Sequence, residues 1–149
     1  MELKFSFAMP AESRAVSVAP NTRYDVIIIG GGPAGLTAAV YALRKGLSIA
    51  LIARTIGGQV LDTSNIQNYM GYTFVDGSTL ANKFFEQVKQ FPAAILTNAD
   101  ASAVRREGDR ILVNASTGVT LQSRALIIAA GKSYRTLGVP GEKELTGRG

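Results

Sequence analysis

The pattern of apolar and polar positions changes texture at residue 24. Residues 1–23 show no sustained period. Leu3, Phe5 and Phe7 alternate with polar residues over Met1–Phe7, which fits a short strand. Ala8–Arg23 carries two prolines and reads as a linker or arm. From Tyr24 onward, Val26-Ile27-Ile28-Ile29 make a β-branched run closed by three glycines. That is the pattern of a strand buried on both faces of a parallel sheet. Pro33–Arg44 then has Leu36, Ala39, Val40 and Leu43 at helical spacing, with Pro33 in the first turn and Gly46 placed to close the helix. Ser48–Ile52 is a second apolar strand, completing a right-handed βαβ unit.

Arg54–Tyr72 is rich in loop residues and contains Gly57-Gly58-Gln59 and Asn65–Tyr69. Gly77–Phe91 reads as a helix, with Asp76 or Ser78 at its start, Leu80, Phe84, Phe85 and Val88 on one face, and Pro92 as the stop. Ala94–Leu96 fits a third parallel strand. Ala101–Arg106, Arg110–Ala115 and Val119–Gln122 are separated by Glu107-Gly108-Asp109 and Ser116-Thr117-Gly118, which predicts a β-meander of two hairpins. Ala125–Ala130 is expected to be a last, buried apolar strand ending at Gly131. The fold class is therefore α/β. An arm, 1–23, precedes one domain, 24–149.

Composition narrows the chemistry. The 149 residues suit a single domain with a real core. There is no cysteine and no histidine. A thiol nucleophile, a redox disulfide, a Cys-ligated zinc and a Ser-His-Asp triad are all excluded within this chain. No catalytic residue and no metal site is singled out, and any chemistry falls to a cofactor, to carboxylates or to another chain. The net charge of +5 is scattered, with no basic block of the kind that binds nucleic acid. No apolar run is long enough for a membrane span. Pro10, Glu12 and Arg14 interrupt any signal-peptide pattern, and a cytoplasmic location is the default expectation.

Gly30-Gly31-Gly32-Pro33-Ala34-Gly35 satisfies G-x-G-x-x-G. The pattern alone is weak, but here it follows a strand and opens a helix, as dinucleotide binding requires. The first glycine permits the turn, the second lets the backbone reach a pyrophosphate, and the third lets helix and strand pack closely. The helix N-terminus then offers free N–H groups and a positive dipole end. The bland alternative is a glycine-rich βα turn without a ligand. Such a site usually has an acid at the end of the second strand to bind a ribose diol. Ala53 and Arg54 stand there instead. Arg54 has three readings: a contact for a 2′-phosphate, which means NADP; a neighbour of an adenosine gripped by other means; or a solvated loop cation. Gly131-Lys132-Ser133 only superficially suggests a phosphate loop, because Leu126 stands where the Walker pattern needs glycine.

The runs YDVIIIGGGPAGLTAAVYALRKGL, IGGQVLDTSNIQNYMGY, ALIIAAG and LGVPGEKELTGRG resemble the FAD domain of thioredoxin reductase-like flavoproteins, including the flavoprotein component of alkyl hydroperoxide reductase. The resemblance covers residues 24–149, and the GGQ element followed by N-Y is its most specific part. It implies a Rossmann-like FAD-binding βαβ parallel sheet with a three-stranded antiparallel β-meander. It also implies that Gly30, Gly32, Pro33, Ala34 and Gly35 hold the FAD pyrophosphate and that Arg54 lies near the ribose and adenine. Gly57, Gly58 and Gln59 would run beside the ribityl chain and ring, with Asn68 at the ring's polar edge and Ala101 pairing its backbone with adenine. Ala129-Ala130-Gly131 stands where the family has A-T-G, so Ala130 brings no hydroxyl. Simple alternatives are a turn at Gly57-Gly58, an Asx turn at Asn68 and an ordinary strand start at Ala101.

Relatives of this kind pass a hydride from NADPH to FAD and electrons on to a C-x-x-C disulfide and a partner thiol. Their FAD domain is split by an NADPH domain. The resemblance implies that this chain carries the first FAD segment, as a fragment, a split subunit or a truncated reading frame of an NAD(P)H-dependent oxidoreductase. It is then expected not to reduce a disulfide unaided, and to associate with a complementing chain or with itself through an uncovered sheet edge. Two other readings stay open: a non-catalytic dinucleotide-binding or regulatory module, and a short NADP-binding domain.

Overall fold

A computed structural model describes residues 18–19, 22–133 and 135–145. The expected strand Met1–Phe7 and most of the arm lie outside these residues. Strand β1 (Arg23–Gly31), helix α1 (Pro33–Arg44) and strand β2 (Ile49–Ile56) form the βαβ unit. A 3-10 turn, Gly58–Asp62, and helix α2 (Gly77–Lys89) follow. Strands β3 (Ala94–Thr97), β4 (Ala101–Glu107), β5 (Arg110–Ala115) and β6 (Thr120–Ile128) and a short helix α3 (Glu142–Leu145) complete the order.

The named strands form one six-stranded sheet in the order β3-β2-β1-β6-β5-β4. β1 lies parallel to both β2 and β6, and β2 lies parallel to β3. β5 runs antiparallel to both β4 and β6. Side chains of β1 alternate between two cores, as a pleated strand requires. Val26 and Ile28 pack with Leu36, Ala39 and Leu43 of α1 and Val88 of α2. Ile27 points the other way, into a core with Ala50, Ile52, Val113, Ala115 and Leu121. The meander thus covers the face opposite the helices.

Local chemistry fixes the pieces. At the start of the β1–β2 register, the Asp25 amide donates to Ser48 Oγ (3.0 Å), and Ser48 N–H and O–H both donate to Asp25 Oδ2 (2.9 and 2.8 Å). These bonds, foremost the one from the Ser48 amide, hold the Asp25 carboxyl below its ordinary pKa. Helix α1 closes as its sequence predicts. Gly46 takes φ +75°, its N–H donates to Leu43 O (2.9 Å), and Leu47 N–H donates to Ala42 O (3.2 Å), a Schellman pair.

Two expectations need correction. Val119–Gln122 and Ala125–Ala130 are not separate strands: Thr120–Ile128 is one strand that joins the meander to the parallel sheet. The polar pair Ser123-Arg124 interrupts the apolar run in sequence without interrupting the strand. Ser123 is fully buried with its Oγ donating to Ala125 O (2.8 Å), while Arg124 is exposed beside Asp25 (3.7 Å). Nor is the end of this strand buried: Ile127 is 38% exposed and Ile128 68%. Along β6, β5 pairs only with Thr120–Ser123, so the last residues of β6 have β1 on one side and no strand on the other among the described residues.

Candidate functional site

In an open parallel sheet, ligands bind beyond the carboxyl ends of the strands, where successive connections leave in opposite directions. Here that point lies between β1 and β6, because β1 connects through α1 to β2 on one side and has β6 on the other. After β6, Ala129 N–H donates to Ile29 O (2.7 Å), which keeps Ala129-Ala130-Gly131 beside the glycine turn. A cleft of about 970 Å³ opens there. It is walled by the Gly30–Ala34 turn, the end of β2, the 3-10 turn, the β3–β4 connection and Ala129–Ser133. Its size suits a large organic ligand.

The glycines of the turn do different jobs. Gly30 has φ +113°, and a methyl there would strike the Ala129 carbonyl. A methyl on Gly35 would strike the Gly30 carbonyl, so this glycine lets α1 pack on β1. Gly31, only a spacer in the motif, is also constrained: its methyl would sit 2.6 Å from Thr55 O and 2.8 Å from Ala53 Cβ. Gly32 differs. Its φ is −77°, and a methyl would come no nearer than 3.9 Å, to Gly58 Cα. The protein itself does not demand glycine at 32. What a methyl would occupy there is space in the cleft.

Helix α1 opens onto the same space. Gly32 is its N-cap with no side-chain cap, Pro33 stands at the start, and the first turn has no acid. Its first N–H groups have no acceptor within the helix, and the dipole leaves their end positive. The site residues expected from sequence mostly come together: Gly30, Gly32, Pro33, Ala34, Arg54, Gly58, Gln59, Ala101, Ala130 and Gly131 line the cleft. Gly35 and Gly57 are buried just behind it, Gly57 donating to Gly31 O (2.7 Å). Asn68 is exposed and does not line the cleft.

Sequence reasoning missed Asp100. Arg54 Nε donates to Asp100 Oδ1 (3.1 Å) and Oδ2 (3.2 Å), and Nη2 donates to Oδ2 (3.0 Å). Both residues line the cleft, and the hydrogen bonds that Arg54 donates to the Asp100 carboxylate raise the Arg54 pKa above its already high ordinary value. Other polar groups at hand are Gln59, Asp62, Lys132 and Ser133. The chain has neither cysteine nor histidine, so no thiol or imidazole is among these groups.

A glycine turn, an open helix end and a cleft at the sheet's switch point define a dinucleotide-binding α/β protein. The chain belongs to the pyridine nucleotide-disulphide oxidoreductase family, whose sequence profile matches residues 24–149. It is 46% identical to the thioredoxin reductase of Bacillus subtilis over 127 residues, covering 85% of this chain and 40% of that protein. It is 38% identical to an alkyl hydroperoxide reductase component of Pseudomonas putida over 138 residues, covering 91% of this chain and 26% of that protein. The crystal structure of thioredoxin reductase from Streptococcus pyogenes superposes with a TM-score of 0.75 at 40% identity, covering 84% of this chain and 40% of that one. The chain thus spans less than half the length of these relatives. The family implies flavin and nicotinamide cofactors.

Proposed function

We propose that this chain binds FAD as the cofactor-holding part of an NAD(P)H-dependent oxidoreductase of the thioredoxin reductase kind. The observation that carries the reading is Gly32: a glycine with no steric or conformational reason of its own, facing the cleft at an uncapped helix end. In this reading Gly30, Gly32, Pro33 and Ala34 take the pyrophosphate, with Gly35 letting the helix approach. Arg54 and Ala101 flank the adenosine, and Ala130 and Gly131 close the turn from the β6 side. Gly57, Gly58 and Gln59 run toward the flavin end, with Asn68 assigned to the ring by the resemblance alone. When bound, FAD supplies hydride acceptance from a reduced nicotinamide and onward electron delivery. The chain's own residues bind, orient and shield it. A disulfide for the reaction has to come from outside this cysteine-free sequence.

The same reading includes a partner. Ile127 and Ile128, exposed on a half-paired strand, suit a complementing chain or domain, or a second copy. A cytoplasmic location belongs to the proposal too. No helix among the described residues is long and apolar enough to cross a membrane. The NADP reading of Arg54 loses ground, because the guanidinium is already paired with a carboxylate that would repel a 2′-phosphate.

Titration of the full chain with FAD, ADP and NADP, followed by flavin fluorescence and calorimetry, tests the proposal. Saturable FAD and ADP binding with weaker NADP binding is expected, and no disulfide reduction with NADPH by the chain alone. NADP binding tighter than FAD, or no FAD binding, overturns it. Turnover by the chain alone contradicts the need for an outside disulfide.

A further inference from the structure

The sequence lacks the acid that a dinucleotide fingerprint places at the end of its second strand, and the structure brings one there by another route. Asn98 N–H donates to Arg54 O and Ala99 N–H to Ala53 O (both 3.3 Å), so the β3–β4 connection is stitched to the end of β2. Asn98 takes φ +54° in this turn, a left-handed conformation that asparagine tolerates better than most residues. The next exposed side chain along is Asp100, beside Ala53 and Arg54 in the cleft wall. Its backbone is pinned on both sides by one residue: Asp100 N–H donates to Ser116 Oγ (3.0 Å), and Ser116 N–H donates to Asp100 O (2.8 Å). Its carboxylate is held by the Arg54 guanidinium.

We propose that Asp100 is the ribose-recognition residue of this site, accepting hydrogen bonds from the 2′,3′-diol of the adenosine, with Arg54 and Ser116 as the residues that position it. The assignment rests on the dinucleotide reading above. A carboxylate has about four acceptor positions, and the arginine occupies only part of them. A diol offers two O–H donors to the remainder. A 2′-phosphate meets the opposite situation: acceptor against acceptor, charge against like charge. Arg54 is then neither a phosphate clamp nor an idle surface cation. An exposed ion pair contributes little to stability in general, and this one has a position in the cleft wall that stability alone does not explain.

The experiment measures affinity of the full chain for ADP, 2′-deoxy-ADP and 2′-phospho-ADP by calorimetry. The three probes share adenine and pyrophosphate, so their ratios report the 2′ position alone. Wild type is expected to prefer ADP over 2′-deoxy-ADP by about tenfold, the range for a hydrogen bond to a charged acceptor. It should bind 2′-phospho-ADP more weakly still. Asp100→Ala should bring the ADP to 2′-deoxy-ADP ratio close to one and relieve the exclusion of 2′-phospho-ADP, with an unchanged urea midpoint. Arg54→Ala should lower the ratio without abolishing it, and Arg54→Lys should restore part of it, which a purely structural role would not do. A wild-type ratio of one, an unchanged ratio in Asp100→Ala, or tightest binding of 2′-phospho-ADP overturns the assignment alone. Absence of ADP binding by wild type overturns the dinucleotide reading and the assignment with it.

Discussion

The two long helices among the described residues begin in opposite ways. At the start of α2 the Thr79 amide donates to Asp76 Oδ1 (2.9 Å), with the Ser78 hydroxyl donating to the same oxygen. Gly77 donates to Thr63 O (2.9 Å) and sits so close to the Val60 carbonyl that a methyl would collide with it. That helix end is filled by its own chain. At the start of α1 there is no capping side chain, no acid and no close neighbour beside Gly32. Both ends have the same surplus of N–H groups and the same dipole. One is satisfied internally and belongs to folding. The other has no side-chain cap and faces the cleft, where the proposal places the ligand.

Alanine substitutions along the glycine turn should separate these roles most strongly. Gly35→Ala drives a methyl into the Gly30 carbonyl and should cost about 2–4 kcal/mol of stability, read from the urea midpoint. Gly32→Ala meets nothing closer than 3.9 Å. It should cost at most about 1 kcal/mol, the range for losing a favourable N-cap residue. Its ADP affinity should nonetheless fall by about tenfold or more. Equal stability losses at the two positions would erase the distinction.

At the other helix the expected effect is smaller and confined to folding. Asp76→Ala should lower Tm by a few degrees and leave ADP affinity unchanged. Hydrogen bonds from Ser78 and Thr79 hold the Asp76 carboxyl well below the usual carboxylate range. A carboxylate with a lowered folded-state pKa stabilises above its ordinary value and loses that contribution as pH falls toward its folded value. The gap between wild type and Asp76→Ala should therefore be constant above about pH 5 and shrink as pH drops below the ordinary value near 3.8. A gap that widens in acid would contradict the capping role.

The difference between these regions also explains what could be read in sequence. The βαβ unit was legible because its signals are local: the Val26–Ile29 run, the helical spacing of Leu36, Ala39 and Leu43, and the closing Gly46. The start of α2 was legible to within Asp76 or Ser78 for the same reason, and the structure makes Asp76 the cap. The continuity of β6 was not, since Ser123-Arg124 looks like a break until Ser123 is seen bonded within the strand. Gly31 was overlooked because its constraint comes from Ala53 and Thr55 on the next strand. Asp100 was out of reach altogether: its partner Arg54 lies 46 positions away, and only the folded sheet joins them. Local signals gave the elements and the glycine turn of the cleft. The wall at Arg54 and Asp100 depends on contacts between distant segments.

The central claim is that the open end of α1 exists to hold a pyrophosphate. Its most direct test gives α1 the kind of cap that α2 already has. Gly32→Asp puts a carboxylate at the N-cap, where aspartate is at least as favourable as glycine, and in the space assigned to the ligand. The full-length chain and this variant are titrated with ADP, with urea midpoints measured alongside. Saturable binding by wild type, none by Gly32→Asp, and an equal or higher midpoint in the variant is the predicted result. Equal ADP affinity in the two proteins, or no binding by wild type, would contradict it.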